Sequence, residues 1–167
     1  SDNAGRDVAS AGDVDGDGDR DVLLAGSEDW LRNDNGQLNP QQIHGMTHEY
    51  LPFTRLLAPI DLNLDGHIDL YGATTPEDGD IDMLPDFIAW GRSNGTFQID
   101  PSAHPSTEGG MAFTAQWIDW DGDGHPEVYV ANDKGYAFGG NRLWSWDTTP
   151  PEDRAPVLGA NQTHDAM

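Results

Sequence analysis

The chain contains no cysteine, so neither a disulfide framework nor a thiolate metal site can form. It also lacks an apolar stretch of the roughly 18 residues that a transmembrane helix requires. Basic residues are scarce, 8 against 30 acidic residues, and the formal net charge is −22. Such a charge repels nucleic acid and anionic membrane surfaces, so we expect neither of them as a partner.

Sustained helical periodicity is missing too, and the apolar residues fall in short runs bounded by Gly, Asp, Asn and Pro. The 20 Gly and 11 Pro complete a pattern that is typical of an all-β fold with frequent turns. The six Trp, five Phe and four Tyr argue against disorder. A compact chain that repels itself so strongly is expected to bind cations instead.

Three segments repeat one pattern of acidic residues and glycine, and an apolar run stands on either side of each. Their first aspartates lie roughly 50 residues apart, a period that suits the blades of a β-propeller. With a later Trp-containing run, each unit reads as strand, loop, strand, variable loop, strand, turn and strand. The loops and their downstream runs are Asp13–Asp21 with Val22–Ala25, Asp61–Asp69 with Leu70–Ala73, and Asp119–Glu127 with Val128–Ala131.

The loop pattern D-x-[DN]-x-D-G-x-x-[DE] indicates a calcium site. Calcium takes about six to eight oxygen ligands, and acids at positions 1, 3 and 5 of a tight loop point to a common centre. Glycine at position 6 allows the bend that brings the carbonyl of position 7 to the ion, and the acid at position 9 closes the shell. All-oxygen ligation disfavours zinc and copper, and magnesium prefers a rigid octahedron with several waters.

We therefore predict about three calcium ions, one in each loop. The predicted ligands of the first loop are the side chains of Asp13, Asp15, Asp17 and Asp21 and the carbonyl of Asp19. Those of the second loop are Asp61, Asn63, Asp65 and Asp69 with the carbonyl of His67. Those of the third loop are Asp119, Asp121, Asp123 and Glu127 with the carbonyl of His125.

Other interpretations of these loops are weaker. Exposed Asp/Gly turns without an ion are common, but three copies of the whole pattern favour a metal. An EF-hand needs a bidentate Glu at position 12, where this chain has Leu24, Gly72 and Val130. Asn63 replaces an acid, so we expect the second loop to bind calcium most weakly. The acidic insertion Thr75–Asp82 lacks the required glycine and is interpreted as a solvated loop.

The order of strand, acidic loop and apolar strand resembles the FG-GAP/VCBS repeat of calcium-binding β-propellers, to which the integrin α-subunit headpiece is related. The third unit matches best, from Gly109–Ala112 through Asp119–Glu127 and Val128–Asp133 to Asn141–Leu143. It is similar to bacterial secreted proteins of the ASPIC/UnbV type, which are like cartilage acidic protein. The resemblance covers about residues 5–146. It implies adhesion, partner binding or carriage beside an enzyme domain.

The sequence thus predicts an all-β fold, a partial β-propeller of about three four-stranded blades with a calcium loop between the first two strands of each. The expected blades are 1–49, 50–108 and 109–147, which together make 1–147. A Pro-rich polar connection or tail at 148–167 follows them. The resemblance implies roughly seven blades in a full propeller. We expect this chain to be a fragment, or else a chain that associates to close the ring.

We expect a calcium-binding extracellular propeller module for adhesion or protein–protein interaction, in a secreted, periplasmic or cell-surface protein. Its expected partners are other blades of the same propeller or another protein chain, and calcium is expected to have a structural role. A carbohydrate-binding propeller with glycan partners is the alternative, because Trp30, Trp90, Trp144 and Trp146 can stack on sugar rings. The non-catalytic part of a polysaccharide-acting enzyme is another. No catalytic residues are predicted, because the His residues show no catalytic grouping.

Overall fold

The computed structural model describes residues 7–10, 12–25, 27, 29–46, 54–74, 85–100, 103, 112–132, 140–148 and 150–155. Within these residues twelve strands form three antiparallel sheets of four strands each. The prediction of an all-β fold is confirmed. No helix in this part of the chain is long and apolar enough to span a bilayer.

Each sheet is a meander of consecutive strands, so neighbours in the chain are neighbours in the sheet. The first sheet contains β1 (Asp7–Ser10), β2 (Val22–Ala25), β3 (Asp29–Asp34) and β4 (Gln37–Gln42). The second contains β5 (Thr54–Ile60), β6 (Asp69–Thr74), β7 (Phe87–Gly91) and β8 (Phe97–Ile99). The third contains β9 (Ala112–Ile118), β10 (Glu127–Asn132), β11 (Arg142–Ser145) and β12 (Glu152–Asp153). In every sheet the acidic loop joins the first strand to the second, as the sequence predicts.

Asn-Gly pairs lie in the hairpin connections that follow the third strands of the first and second sheets, a two-residue turn in the first and the five residues 92–96 in the second. Asn35 and Gly36 join β3 to β4, and their φ angles of 53° and 89° are those of a type I′ turn. Asn94-Gly95 lies between β7 and β8, where Gly95 has φ 73° and its N–H donates to the carbonyl of Arg92 at 2.9 Å. The Asn-Gly signal therefore marks real turns at both places.

The three sheets are held together through two buried clusters of apolar side chains. One cluster joins the first sheet, through Leu23 and Trp30, to the second sheet, through Leu57, Leu70 and Phe87. All five side chains are 5% exposed or less. Each cluster lies between consecutive units, so the second sheet is packed on both of its faces.

The other cluster joins the second sheet, through Tyr71 and Ile88, to the third, through Val128, Val130 and Trp144. Every residue of β6 is buried as a result. In β2, buried and half-buried residues alternate instead, because only one of the described sheets packs on it. The consecutive apolar residues of the downstream run are thus covered on both faces in the middle unit and on one face in the first.

The fourth strand of the third sheet comes from a part of the chain that the sequence analysis places in the connection. Glu152 and Asp153 pair with Ser145 and Trp144, beyond the expected blade boundary at residue 147. A strand of two acidic residues carries no apolar alternation, which explains why the pattern gives no sign of it. The division into 1–49, 50–108, 109–147 and 148–167 stays a prediction, and the whole Thr75–Asp82 insertion lies outside the described residues.

Candidate metal centre

The three loops adopt the same backbone conformation, with positions counted from the first aspartate of each. Position 6 has positive φ in all three, at Gly18, Gly66 and Gly124 (95°, 87° and 88°). Position 4 has positive φ as well, at Gly16, Leu64 and Gly122 (79°, 58° and 77°). The glycine at position 6 is predicted from the loop pattern, whereas the positive φ at position 4 is not. Glycine at position 4 in two of the three loops is the signal that could have found it.

The aspartate at position 1 organises each loop by accepting backbone N–H groups. Asp13 accepts the N–H of Asp17 at 2.8 Å on one oxygen and that of Gly18 at 2.7 Å on the other. Asp61 accepts the N–H groups of Asp65 at 3.0 Å and Gly66 at 2.9 Å in the same way.

In the third loop, Asp119 accepts the N–H groups of Gly122 at 2.8 Å and Gly124 at 3.2 Å. Because these bonds curl the loop around the carboxylate, the following acids are drawn toward it. Each carboxylate oxygen that accepts one N–H keeps a second lone pair for a metal.

The structure brings predicted ligands together in the first and third loops. Carboxylate oxygens of Asp13, Asp15 and Asp17 lie within 4.8 Å of one another. The same is true of Asp119, Asp121 and Glu127. Three like charges at such distances repel one another unless a cation lies between them. Each of these groups is therefore suited to a divalent ion.

Asp123, at position 5 of the third loop, lies in a further acidic group with Asp121 and Asp147. Asp147 belongs to the segment that follows β11 and lies outside the loop pattern, so the pattern does not predict it. Asp147 is recognised as a candidate ligand only because the fold places its carboxylate beside those of Asp121 and Asp123.

The second loop holds its position 3 side chain by hydrogen bonds within the loop. The Asn63 amide nitrogen donates to Asp65 at 3.1 Å, and the Asn63 oxygen accepts the Asp65 N–H at 3.0 Å. The second loop therefore has an amide at position 3, where the first and third loops have an aspartate that belongs to their acidic group. This geometry suits the prediction that the second loop has the lowest affinity, which stays a prediction.

Position 7 is predicted to contribute its carbonyl, and its N–H already faces the loop. The N–H groups of Asp19, His67 and His125 donate to the position 5 carboxylates at 2.9, 2.9 and 2.8 Å. The Asp19 side chain turns away and accepts the N–H of Asn35 at 2.7 Å. The Asp19 side chain is thus engaged outside the ligand set, which suits a carbonyl role for this residue.

The acid at position 9 connects its loop to the third strand of the sheet. Asp21 accepts the N–H of Val14 at 2.8 Å and that of Asn33 at 2.9 Å. Asp69 accepts the N–H groups of Leu62 at 3.0 Å and Gly91 at 2.7 Å. Both aspartates are almost fully buried. Sequence reasoning gave this position a role at the ion and missed its role as a clamp between backbone segments.

Glu127, at position 9 of the third loop, uses only half of that clamp. Its Oε2 accepts the N–H of Trp120 at 2.8 Å. Its Oε1 is buried and has no hydrogen-bond partner among the described residues, although Arg154 Nη1 lies 3.6 Å away. The residue is 1% exposed and its carboxylate belongs to the group formed with Asp119 and Asp121. A buried oxygen without a donor is costly, and a cation in the loop would satisfy it.

Burial raises the pKa of all three position 9 acids. Desolvation is the main cause for Asp21, Asp69 and Glu127, and their backbone hydrogen bonds oppose it. The pKa of Asp69 rises from 3.8 to about 6, to which the negative charges of Asp65 and Asp61 also contribute. The charged form of these groups is disfavoured, and a neighbouring cation would restore it.

Guanidinium groups accompany the first and third loops. Arg32 Nε lies 2.9 Å from Asp15 and 2.9 Å from Asp34. Arg154 Nη1 lies 2.8 Å from Asp121, and its Nη2 lies 2.6 Å from Asp147. Each arginine offsets part of the negative charge of its loop. Among the described residues, arginines form ion pairs with acids of the first and third loops. In the second unit, Arg92 donates to Gln98 instead of pairing with an acid of the loop.

The three loops open onto one cleft of about 480 Å³. Asp61 and Leu64 of the second loop line it together with Asp119 and Gly124 of the third, and Arg20 of the first loop and the preceding Gly12 line it as well. The loops therefore share one edge of the stacked sheets. The candidate metal ligands of the loops are carboxylate, amide and carbonyl oxygens, which fit a hard cation such as calcium and not zinc or copper.

Comparison with known families agrees with this arrangement. The model of the FG-GAP-like repeat matches residues 13–72 and again residues 61–130. The two matches together cover more than half of the 167 residues. The chain belongs to the FG-GAP-like repeat family. Each FG-GAP-like match begins at the first aspartate of a loop and ends in the second strand of the next unit. Among curated proteins, none gives a significant match.

Proposed function

We propose that this chain is a calcium-stabilised FG-GAP module that forms part of an extracellular β-propeller and serves adhesion or protein–protein interaction. Each loop would hold one calcium ion through positions 1, 3, 5 and 9 and the carbonyl of position 7. Membership of the FG-GAP-like repeat family supports the propeller part of the proposal. The shared loop geometry supports the metal part.

The observation that carries the metal proposal is the buried Oε1 of Glu127. It lies in a group of three carboxylates, and no described residue donates a hydrogen bond to it. Arg154, at 3.6 Å, is too distant to hydrogen-bond it. A calcium ion coordinated by Asp119, Asp121 and Glu127 would satisfy this oxygen and relieve the repulsion among the three charges.

The proposed role of calcium is structural. Position 9 is the first residue of the second strand or the residue just before it, and positions 1 to 5 follow the first strand. An ion bound to both ends of the loop would therefore fix the two strands to each other. It would add stability by binding the folded chain in preference to the unfolded one.

The proposed partners are further blades, from the same protein or from another chain, that would pack on the outer sheets. Val22, Leu24 and Leu31 of the first sheet are only half-buried. Tyr129 and Ala131 of the third sheet are half-buried as well. Similar positions in the middle sheet are fully covered by its neighbours, so an additional blade would bury these side chains too.

The finer relationship to bacterial ASPIC/UnbV-type proteins, and with it a secreted, periplasmic or cell-surface location, belongs to the same proposal. It rests on the motifs of the third unit. The proposal assigns no catalytic residue to this chain. A role as the non-catalytic part of a polysaccharide-acting enzyme is compatible with it.

Calcium titration by isothermal calorimetry tests the metal proposal at a single residue. We expect metal-free wild type to bind about three calcium ions, and Glu127→Gln to lose one binding event or to weaken it at least tenfold. Gln keeps the size of the side chain, so folding should persist. Glu152→Gln, the same change at an exposed position of β12, is the matched control and should titrate as wild type. Wild type that takes up no calcium would contradict the proposal.

A further inference from the structure

A second cleft, of about 350 Å³, lies between the second and third sheets. This volume is within the range of small-molecule sites, roughly 300–1,000 Å³. Side chains of both sheets and of two acidic loops line it, among them Trp90, Trp146, Asp100, Asp147, Asn63 and His125. Neither the family match nor the proposed metal sites account for this combination of indoles and polar groups.

The two tryptophans are half-buried and held in place by neighbouring groups. The Trp90 Nε1–H donates to Asp100 at 3.3 Å. The Trp146 ring packs edge-on against buried Tyr71, with ring centroids 6.3 Å apart and an interplanar angle of 81°. Because both indoles are fixed before a ligand arrives, little conformational entropy is lost when something packs on them.

The carboxylates of the cleft are already engaged with donors from the protein. Asp147 accepts from Arg154 Nη2 at 2.6 Å and from the Ser145 hydroxyl at 2.8 Å. Asp100 accepts from Trp90. The guanidinium of Arg154 offsets the charge of Asp147, so this carboxylate offers an oriented acceptor more than an uncompensated negative charge.

Hydrogen-bonding groups of both kinds therefore line the cleft beside two flat apolar rings. Asn63 and His125 add an amide and an imidazole to the acceptors of Asp100 and Asp147. An anion would be repelled by the carboxylates, and a purely apolar ligand would cover the polar groups without hydrogen-bonding to any of them. An organic cation would gain less here than in a cage of unpaired acids, because Arg154 lies beside Asp147.

We propose that this cleft binds a neutral saccharide unit. A sugar ring has an apolar C–H face that packs on an indole, and each of its hydroxyls both donates and accepts. The cleft supplies these two kinds of contact side by side. The binding goes beyond the calcium-stabilised interaction module and gives the chain a ligand of its own.

The cleft shares walls with two of the proposed metal loops. Asn63 is position 3 of the second loop and His125 is position 7 of the third. Saccharide binding is therefore measured at saturating calcium, so that the loops are in one state throughout. Calcium binding is measured separately by calorimetry, so failure of one proposal is distinguishable from failure of the other.

The test is a screen of wild type on an array of neutral oligosaccharides, followed by fluorescence titration with the methyl glycosides of common hexoses and N-acetylhexosamines. We expect at least one of them to bind. Trp90→Ala should weaken that binding about tenfold or more, because one stacking wall is removed. Trp117→Ala is the matched control: this tryptophan is 58% exposed, lies on β9 and lines the other cleft, so its loss should leave saccharide affinity unchanged.

Exposed His125 provides a second variant that carries little risk to folding. His125→Ala keeps the backbone carbonyl and should weaken saccharide binding about threefold or more. Choline is titrated in parallel. Quenching by choline with no response to any saccharide would assign the cleft to an organic cation and overturn the proposal. Silence toward all of these probes, or equal loss of binding in Trp90→Ala and Trp117→Ala, would also overturn it.

Discussion

Leu64 occupies the fourth position of the second loop, where the other two loops have Gly16 and Gly122. Its φ of 58° is in the left-handed region, and its side chain is 52% exposed. A non-glycine residue in that region is strained by about 1–2 kcal/mol. The loop conformation shared by the repeats thus places Leu64 in a backbone region that leucine disfavours. Because the side chain is half exposed, its packing offsets little of this strain.

Leu64→Gly is therefore expected to stabilise the chain, by about 0.5–1 kcal/mol after the larger unfolded-state entropy of glycine is subtracted. Urea unfolding at saturating calcium measures the change. Leu38→Gly is the control, because Leu38 is also 52% exposed but lies within strand β4. That variant should lose about 0.5–1 kcal/mol. Destabilisation of both variants to the same extent would show that the left-handed conformation at Leu64 is not strained.

The acid at position 9 shows at the residue scale what the sequence can and cannot predict. Its spacing from Asp13 or Asp61 indicates a ligand, because metal loops have acids at regular positions. Its bonds to Asn33 or Gly91 depend on a strand that comes later in the chain. Long-range pairing of this kind leaves no local pattern, so only the fold reveals that Asp21 and Asp69 clamp the loop to the sheet.

Within one loop and its sheet, a residue that clamps the backbone can be distinguished from a residue that serves only as a metal ligand. Asp21 accepts two backbone N–H groups in a buried site, whereas Asp15 lies near the loop surface and pairs with Arg32. Asp21→Ala should lower the free energy of unfolding by about 2–3 kcal/mol with or without calcium, because two N–H groups lose their acceptor. Asp15→Ala should matter only with calcium, since without it the change removes repulsion from Asp13 and Asp17.

Urea unfolding of both variants, in calcium and in chelator, measures these effects. The two residues differ by position in one loop, so each serves as the control of the other. An Asp21→Ala variant that is destabilised only in calcium would contradict the clamp, and the acid would then be a ligand alone. A variant of Asp15 that is equally destabilised in chelator would contradict its assignment as a ligand.

Most of the strands themselves follow from local sequence, and the exceptions have physical causes. Apolar runs such as Leu70–Ala73 and the turn at Asn35-Gly36 predict β6 and the β3–β4 hairpin. The sequence pattern gives no sign of strand β12 because Glu152 and Asp153 join β11 through backbone pairing and the Arg142–Asp153 ion pair, without an apolar face. The burial of β6 on both sides was predictable from its composition. The partial exposure of one face of β2 depends on how many sheets pack against it, and the amino-acid composition of the strand does not determine that number.

At the scale of the whole molecule, charge and packing oppose each other. A net charge of −22 on 167 residues favours expansion, while two apolar clusters hold the three sheets together. The acidic loops gather at one edge, around a single cleft, so the repulsion is concentrated there. Calcium in these loops would neutralise the charge where it is densest. The stability of the stacked sheets should therefore depend on calcium more than on salt in general.

The most direct test of this account is thermal unfolding of the metal-free chain with and without calcium, followed by circular dichroism. If three loops bind calcium in the folded state only, saturating calcium should raise the midpoint by more than about 10 °C, through linkage at each site. Magnesium at the same concentration, or sodium chloride at the same ionic strength, should raise it far less. An identical midpoint in calcium and in chelator would contradict the central claim that these loops are calcium sites.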